Sequence, residues 1–295
     1  MNSLFDIVYH IRSCRDKLSS TEQKVADAIL ADIAFAAAAN IDQIAAKAGV
    51  SISTISRFSK SVGCTDIRDL KLKLASANAV GSRFLSDASS EAASSDESAF
   101  YTRICSEVET TLRANLAHFV EADFQQAVQH ITSARMIYVA GMGGGSTMLA
   151  DETQFRLARL GFAVAAYNDP VVLRILAATM TPNDVLIILS VTGVTPELLS
   201  VADIAHEYGA RIIVITDPNS PLAKKADLVL PVTTEETDFI YKPSASRYGI
   251  LFAIDVLATE LALTRRDHSK ELLRRVKFAL DEYRGGGNNR LPLGD

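Results

Sequence analysis

The chain has 295 residues, 48% of them hydrophobic and 22% charged. This globular balance excludes collagenous, disordered and membrane-embedded classes and, at about 150 residues per domain, points to two domains with separate cores. The net charge of -5 excludes a protein that coats nucleic acid without selection, because phosphate binding follows positive potential, yet it leaves room for a local basic face. Cys14, Cys64 and Cys105 are widely separated, with no C-x-x-C spacing, so neither a disulfide framework nor a zinc site is expected. The first residues are interrupted by Asp6, His10 and Arg12 and lack the apolar core of a signal peptide. No apolar run reaches the roughly 18 residues of a membrane helix. The sequence therefore leads to the expectation of a cytoplasmic protein without membrane contact, metal or cofactor.

In chain order, Ser19 and Glu22 form the S-x-x-E pattern of a capping box, which opens a helix carrying Val25, Ile29 and Leu30 at helical spacing. Residues 41–63 read IDQIAAKAGVSISTISRFSKSVG. Ile41, Ile44 and Ala48 put an apolar stripe on one short helix, and small Ala45 lets a second helix cross closely. Gly49 permits a sharp turn and Ser51 is placed to cap the next helix. On a wheel of about 100° per residue, Ile55, Phe58 and Val62 face inward, leaving Ser53, Ser56, Arg57 and Lys60 on the opposite side. Hydroxyls and Arg there can reach base edges while Lys meets phosphate, and Ser51 and Thr54 flank the face where backbone phosphates would lie. The pattern predicts a helix-turn-helix whose candidate DNA-binding residues are Ser51, Ser53, Thr54, Ser56, Arg57 and Lys60. DIRDLKLKLA at 66–75 adds an amphipathic helix whose Lys71 and Lys73 read as solvated surface. Residues 1–80 carry a net charge of +2 and the remainder -7, so the basic face lies in front.

Residues 86–98, SDASSEAASSDES, have no large apolar residue and the composition of a linker. An amphipathic stretch follows from about Phe100 to Ile131, whose part near Val108 to Phe119 suits either pairing of subunits or packing onto its own sheet. Then come five β-branched runs: RMIYVA at 135, FAVAAY at 162, DVLIILS at 184, RIIVIT at 211 and DLVLPV at 227. Helical stretches separate them, which predicts a parallel sheet covered on both faces. GMGGGS at 141–146 joins the first run to a helix, where exposed amides and a helix dipole favour an anion. After the third run, SVTGVTPE at 190–197 offers three hydroxyls at another strand-to-helix turn. Together these loops read as a phosphate cradle.

The whole sequence resembles the RpiR family of bacterial transcription regulators, in which a helix-turn-helix domain precedes a sugar isomerase (SIS) domain. The resemblance lies in LSSTEQKVADAIL at 18, residues 41–63 and DLKLKLA at 69 in front. Behind, it lies in the glycine loop ending at Ser146, ARLG at 158, SVTGVTPE at 190, ITDPNSPLAKKADLVLPV at 215 and SRYGILFAIDVLATEL at 246. It implies an all-α helix-turn-helix domain at 1–85, a linker at 86–98, an α/β SIS domain of flavodoxin/Rossmann-like three-layer form at 99–285 and a flexible tail at 286–295. It also implies a regulator of carbohydrate metabolism whose affinity for a double-stranded DNA operator changes with a phosphorylated sugar or sugar acid, acting as a homodimer or homotetramer. Gly143, Ser146, Ser190, Thr192 and Thr195 are the effector-binding residues that it implies. The glycine loop is one residue longer than the family's G-x-G-x-S.

Two other functions compete. A sugar-phosphate isomerase needs a general base beside the substrate carbon. Glu152, His206, Glu235 and Glu236 are the candidates, none of them in a motif that places it near the loops, and no catalytic residue is assigned. A dinucleotide site would use Asp169 as its ribose acid, but Ser146 stands where the third glycine belongs and Asp169 lies too far along the chain.

Overall fold

The computed structural model describes residues 6–85, 97–233 and 245–285. Its chain forms two compact units that divide between Asp96 and Glu97. Most of the expected linker, residues 86–96, and the expected tail at 286–295 lie outside the described residues. A helix already begins at Glu97.

The first unit is helical throughout: α1 Ile7–Cys14, α2 Ser20–Ala31, α3 Ile33–Ala38, α4 Ile41–Ala48, α5 Ile52–Ser61 and α6 Ile67–Leu85. Short polar side chains satisfy first-turn amides that no carbonyl can reach. Asp6 accepts from Val8 and Tyr9, Asp32 from Phe35, and Asn40 from Gln43. At the predicted capping box, one Glu22 oxygen accepts from Ser19 N–H at 3.1 Å and from the Ser19 hydroxyl at 2.6 Å. The other accepts from the Ser61 hydroxyl at 2.6 Å, which ties the start of α2 to the end of α5. These hydroxyls, Ser19 first, hold the Glu22 carboxyl below its usual range. Ile55, Phe58 and Val62 are fully buried with Val25, Ile29, Ile44, Leu70 and Leu74, as the wheel predicts.

The second unit runs α7 Glu97–Leu116, α8 Glu121–Ser133, β1 Met136–Gly141, α9 Gly144–Arg159, β2 Val164–Tyr167, α10 Pro170–Ala177, β3 Asp184–Ser190, α11 Pro196–Glu207, β4 Arg211–Thr216, β5 Leu228–Pro231, α12 Ser246–Thr264 and α13 Arg266–Tyr283. The long amphipathic stretch is thus two helices. Phe119 falls between them and turns inward against Phe124 and Phe252, with ring centroids 5.0 and 5.1 Å away. All five expected strands are present and parallel, in the order β2-β1-β3-β4-β5. Alternate residues of β3 point to opposite faces. Ile187 and Leu189 join a core with α8, α9 and α12, whereas Leu186 and Ile188 join one with α10 and α11. The result is the three-layer α/β arrangement.

Asp184 anchors the start of β3. Its side chain is 0% exposed, and one oxygen accepts from Arg135 at 2.8 Å and from the N–H and hydroxyl of Thr181 at 2.8 and 2.9 Å. Burial opposes ionisation, but the Arg135 and Thr181 hydrogen bonds outweigh it and keep the carboxyl below its ordinary range. A depressed carboxyl stabilises the fold above its unfolded pKa, and that contribution disappears as pH falls through the folded value. Asp184→Asn should lower stability at pH 7 by about 2 kcal/mol, since hydrogen bonds to a charged group are lost. Urea midpoints should show the gap between variant and wild type narrowing below about pH 4; a gap independent of pH would show that the ionised form contributes nothing.

Candidate DNA-reading helix and ligand crevice

The turn between α4 and α5 depends on Gly49, which closes α4 in the left-handed region at φ 65°. Val50 N–H then donates back to Ala45 O at 3.0 Å, giving a sharp stop that residues with a Cβ reach only under strain. Ser51 caps α5 through Thr54 N–H. Ser53, Ser56, Arg57 and Lys60 are all exposed, as expected, and Ser51 is exposed beside them. Thr54 is a correction: it lies four residues before Phe58 on the inward face, is 5% exposed, and its hydroxyl lies 2.9 Å from Ser51 Oγ.

Of the six cations in the basic segment, residues 41–80, three are committed to the fold. Lys47 pairs with Asp32 and sits 4.0 Å over the Phe35 ring, Lys73 pairs with Asp69, and Lys71 donates to Ala38 O. Arg57, Lys60 and Arg68 are exposed, and among the described residues their side chains make no hydrogen bond or ion pair. Sequence reasoning missed Ile52, which is 47% exposed in the first turn of α5, one turn before Ser56. An apolar group there suits a thymine methyl in a major groove. The wheel puts Ile52 about 60° from Ile55, between the inward face and Ser56, so periodicity alone did not single it out.

In the second unit the strand order reverses between β1 and β3, since β1 pairs with β2 on one side and β3 on the other. Ligands of open parallel sheets bind in the crevice outside the strand ends at such a point. Both predicted loops leave from there, with Gly141 in register with Leu189, one residue before Ser190. The helix after β1 starts at Gly144, so the additional glycine is absorbed into the entry of α9. Gly143 caps α9 without a side-chain bond, and the amides of Gly144, Gly145 and Ser146 precede the first intrahelical bond, Thr147 N–H to Gly143 O. α11 likewise starts without a side-chain cap, after Thr195. The hydroxyls of Ser146, Thr192 and Thr195 make no hydrogen bond among the described residues, and Thr192 is exposed. Ser190 is 4% exposed. It accepts from Gly193 N–H at 3.1 Å, which leaves its own proton to donate. Uncapped amides and unbonded hydroxyls thus stand at the starts of two helices that leave neighbouring strand ends, and neither loop carries a lysine or arginine.

The remaining predicted residues lie elsewhere. Glu152 pairs with Arg156 at 2.6 Å. His206 is exposed in the last turn of α11, at the end away from the crevice. Glu235 and Glu236 lie outside the described residues. Asp169 caps α10, accepting from Val171 and Val172. Among the described residues no cluster of His, Cys, Asp or Glu could hold a metal ion, and no helix is long and apolar enough to cross a membrane.

Comparison with known proteins agrees with both halves. The model for the helix-turn-helix domain of the rpiR family matches residues 5–81, and the SIS domain model matches residues 130–260. The chain is 33% identical over 276 residues to the HTH-type transcriptional regulator HexR of Pseudomonas aeruginosa, covering 93% of this chain and 95% of that one. The chain belongs to the rpiR family of DNA-binding transcriptional regulators. HexR of Escherichia coli is 32% identical over 275 residues, covering 93% of this chain and 94% of that protein. The bifunctional protein glk of Burkholderia thailandensis is 32% identical over 262 residues, which are 89% of this chain but 40% of that protein. Among solved structures, the Vibrio vulnificus NanR protein complexed with ManNAc-6P shares the fold at a TM-score of 0.58 and 19% identity, covering 93% of this chain and 98% of that one. The sugar isomerase domain of the RpiR transcription factor from Sphaerobacter thermophilus matches at a TM-score of 0.55 and 25% identity, covering 59% of this chain and 96% of its own.

For an rpiR-family regulator, the α5 face makes a specific prediction. Arg57→Ala should raise the dissociation constant for an operator selected from random duplexes by roughly ten- to a hundredfold, the range for losing a base contact. Thr54→Ala should instead lower stability by about 1 kcal/mol and leave the selected sequence unchanged. A mobility-shift assay in which Arg57→Ala matches the wild type would remove Arg57 from the interface.

Proposed function

We propose that α5 reads operator DNA through Ile52, Ser53, Ser56, Arg57 and Lys60, with Ser51 at the flank, and that the crevice binds a phosphorylated sugar or sugar acid that changes operator affinity. The phosphate lies against the amides of Gly144 and Gly145 beyond Gly143 and against the hydroxyls of Ser146, Ser190, Thr192 and Thr195. The observation that carries this reading is the pairing of β1 with β3, in which Gly141 stands beside Leu189 and both hydroxyl-bearing loops leave side by side. The SIS match over this region and the sugar phosphate bound to NanR support it. The protein works in the cytoplasm as a homodimer or homotetramer, because helix-turn-helix proteins engage paired half-sites. Its targets are genes of carbohydrate metabolism. In this reading residues 1–85 read DNA and residues 99–285 sense the effector.

The effector chemistry follows from the donors. A dianionic phosphate monoester takes several N–H and O–H bonds at once, and with no lysine or arginine in either loop it leaves readily when its concentration falls. In this reading the protein senses rather than turns over its ligand: of the candidate bases among the described residues, Glu152 is held by Arg156 and His206 lies at the far end of α11.

Thermal-shift measurement across phosphorylated sugars and sugar acids tests the site. A ligand at about 100 times its dissociation constant should add roughly 2.7 kcal/mol of stability. Ser190→Ala should abolish most of that shift while leaving operator affinity without ligand within about twofold of wild type. An unchanged shift in the variant would take Ser190 out of the site.

A further inference from the structure

We infer that Asn115 transmits occupancy of the crevice to α7, the helix that stands between the two family-matched regions. This rests on the effector reading of the crevice. Asn115 is 0% exposed near the end of α7. Its side-chain amide holds the backbone of Thr233 on both sides of its Cα, with Thr233 N–H donating to Oδ1 at 2.9 Å and Nδ2 donating to Thr233 O at 3.0 Å. Nδ2 also donates to Thr111 O at 2.8 Å, so both amide protons are used. α12 closes over the clamp at Gly249, where a Cβ would lie 2.9 Å from Asn115 Nδ2 and 2.9 Å from Val232 Cγ1. An amphipathic helix that only packs on a sheet has no need of this two-point hold on a strand's exit.

The held strand leads directly to the crevice. Val232, next to Thr233, donates its N–H to Thr216 O at 2.9 Å. Thr216 ends β4 in register with Ser190. The loop after Ser190 is seated on that strand end: a Cβ on Gly193 would lie 2.2 Å from Ser220 Oγ and 2.7 Å from Thr216 Oγ1. Gly193 O also accepts from Leu222 N–H at 3.1 Å. A phosphate that draws Ser190 and its loop inward therefore presses on Thr216 and Ser220 and, through Val232 and Thr233, on the Asn115 amide. Packed contacts of this tightness cannot absorb a shift locally, so it is passed to α7. Asn115 is a positioning residue and touches no ligand.

The test uses the full chain, with glucose 6-phosphate, gluconate 6-phosphate and inorganic phosphate as probes. Calorimetry should give Asn115→Ala the wild-type dissociation constant for the bound probe. In mobility-shift titrations, the probe-induced change in operator affinity should fall from about fivefold or more in the wild type to near none in the variant. Retention of the full change, or loss of probe binding, would overturn the relay while leaving the crevice as the effector site. Hydrogen exchange on the wild type guards against a variant that does not fold: probe binding should change protection in residues 107–118 and at Thr233, and unchanged protection there would also overturn the relay. Failure of all three probes to bind the wild type would retire the effector reading and the relay with it.

Discussion

β1 ends on a residue that cannot carry a side chain: a Cβ on Gly141 would lie 2.1 Å from the carbonyl oxygen of Ser146 and 3.1 Å from Ala150 Cβ. The first turn of α9 is thus pressed directly onto the end of the strand, and the free amides of Gly144 and Gly145 are fixed over it. Because β1 pairs with β3 in register from Met136 and Asp184 onward, placing one strand end places the other. The anchor of Asp184 at the opposite end of β3 sets where Ser190 emerges. The second unit's capacity to hold an anion follows from this geometry, since the two loops contain no cation and Glu197 is their single charged residue. Helix ends supply the positive potential, about half an elementary charge each at full alignment.

The two units use the same residue types to opposite ends. At the start of α5, the hydroxyls of Ser51, Ser53 and Thr54 bond to one another and to the helix's own amides. Part of their hydrogen-bonding capacity thus goes to fixing the helix start. At the crevice, the helices after β1 and β3 start without a side-chain cap, and the hydroxyls beside them stay open. A Ser/Thr-rich helix start therefore signals a ligand only where the first residue leaves its own amides unsatisfied. Gly143, which has no side chain to cap α9, produces that condition.

Much of this was legible in the chain. The five strands announce themselves because a sheet covered on both faces needs β-branched runs such as DVLIILS, whose seven residues are all buried. The helix-turn-helix was legible because Gly49, Ser51 and the Ile55, Phe58, Val62 stripe each answer a local requirement. Features that depend on distant contacts were not. Thr54 sits at the edge of the wheel and turns inward only because Phe58 below it is buried. The break at Phe119 depends on Phe252, far along the chain. Asn115 reads as a polar residue on an amphipathic helix, and its partner Thr233 is 118 residues away. Periodicity reports which face of an element is apolar but not which polar group another segment will cover.

On the proposed reading, the charge balance lets a small change at the crevice suffice for regulation. Three cations of the basic segment are tied down by Asp32, Asp69 and a carbonyl, so few remain to neutralise phosphates, and the net charge of -7 beyond residue 80 adds none. Each phosphate contact contributes a salt-dependent increment of affinity for any sequence, and a reader with few of them holds non-specific DNA weakly. On the proposed reading its hold on an operator depends on a handful of side chains on α5, each contributing about 1 to 3 kcal/mol. A coupling energy between ligand and DNA is of the same size, typically 1 to 3 kcal/mol. When binding is built from so few contacts, an effector that disturbs the equivalent of one of them is enough to move the protein between bound and free.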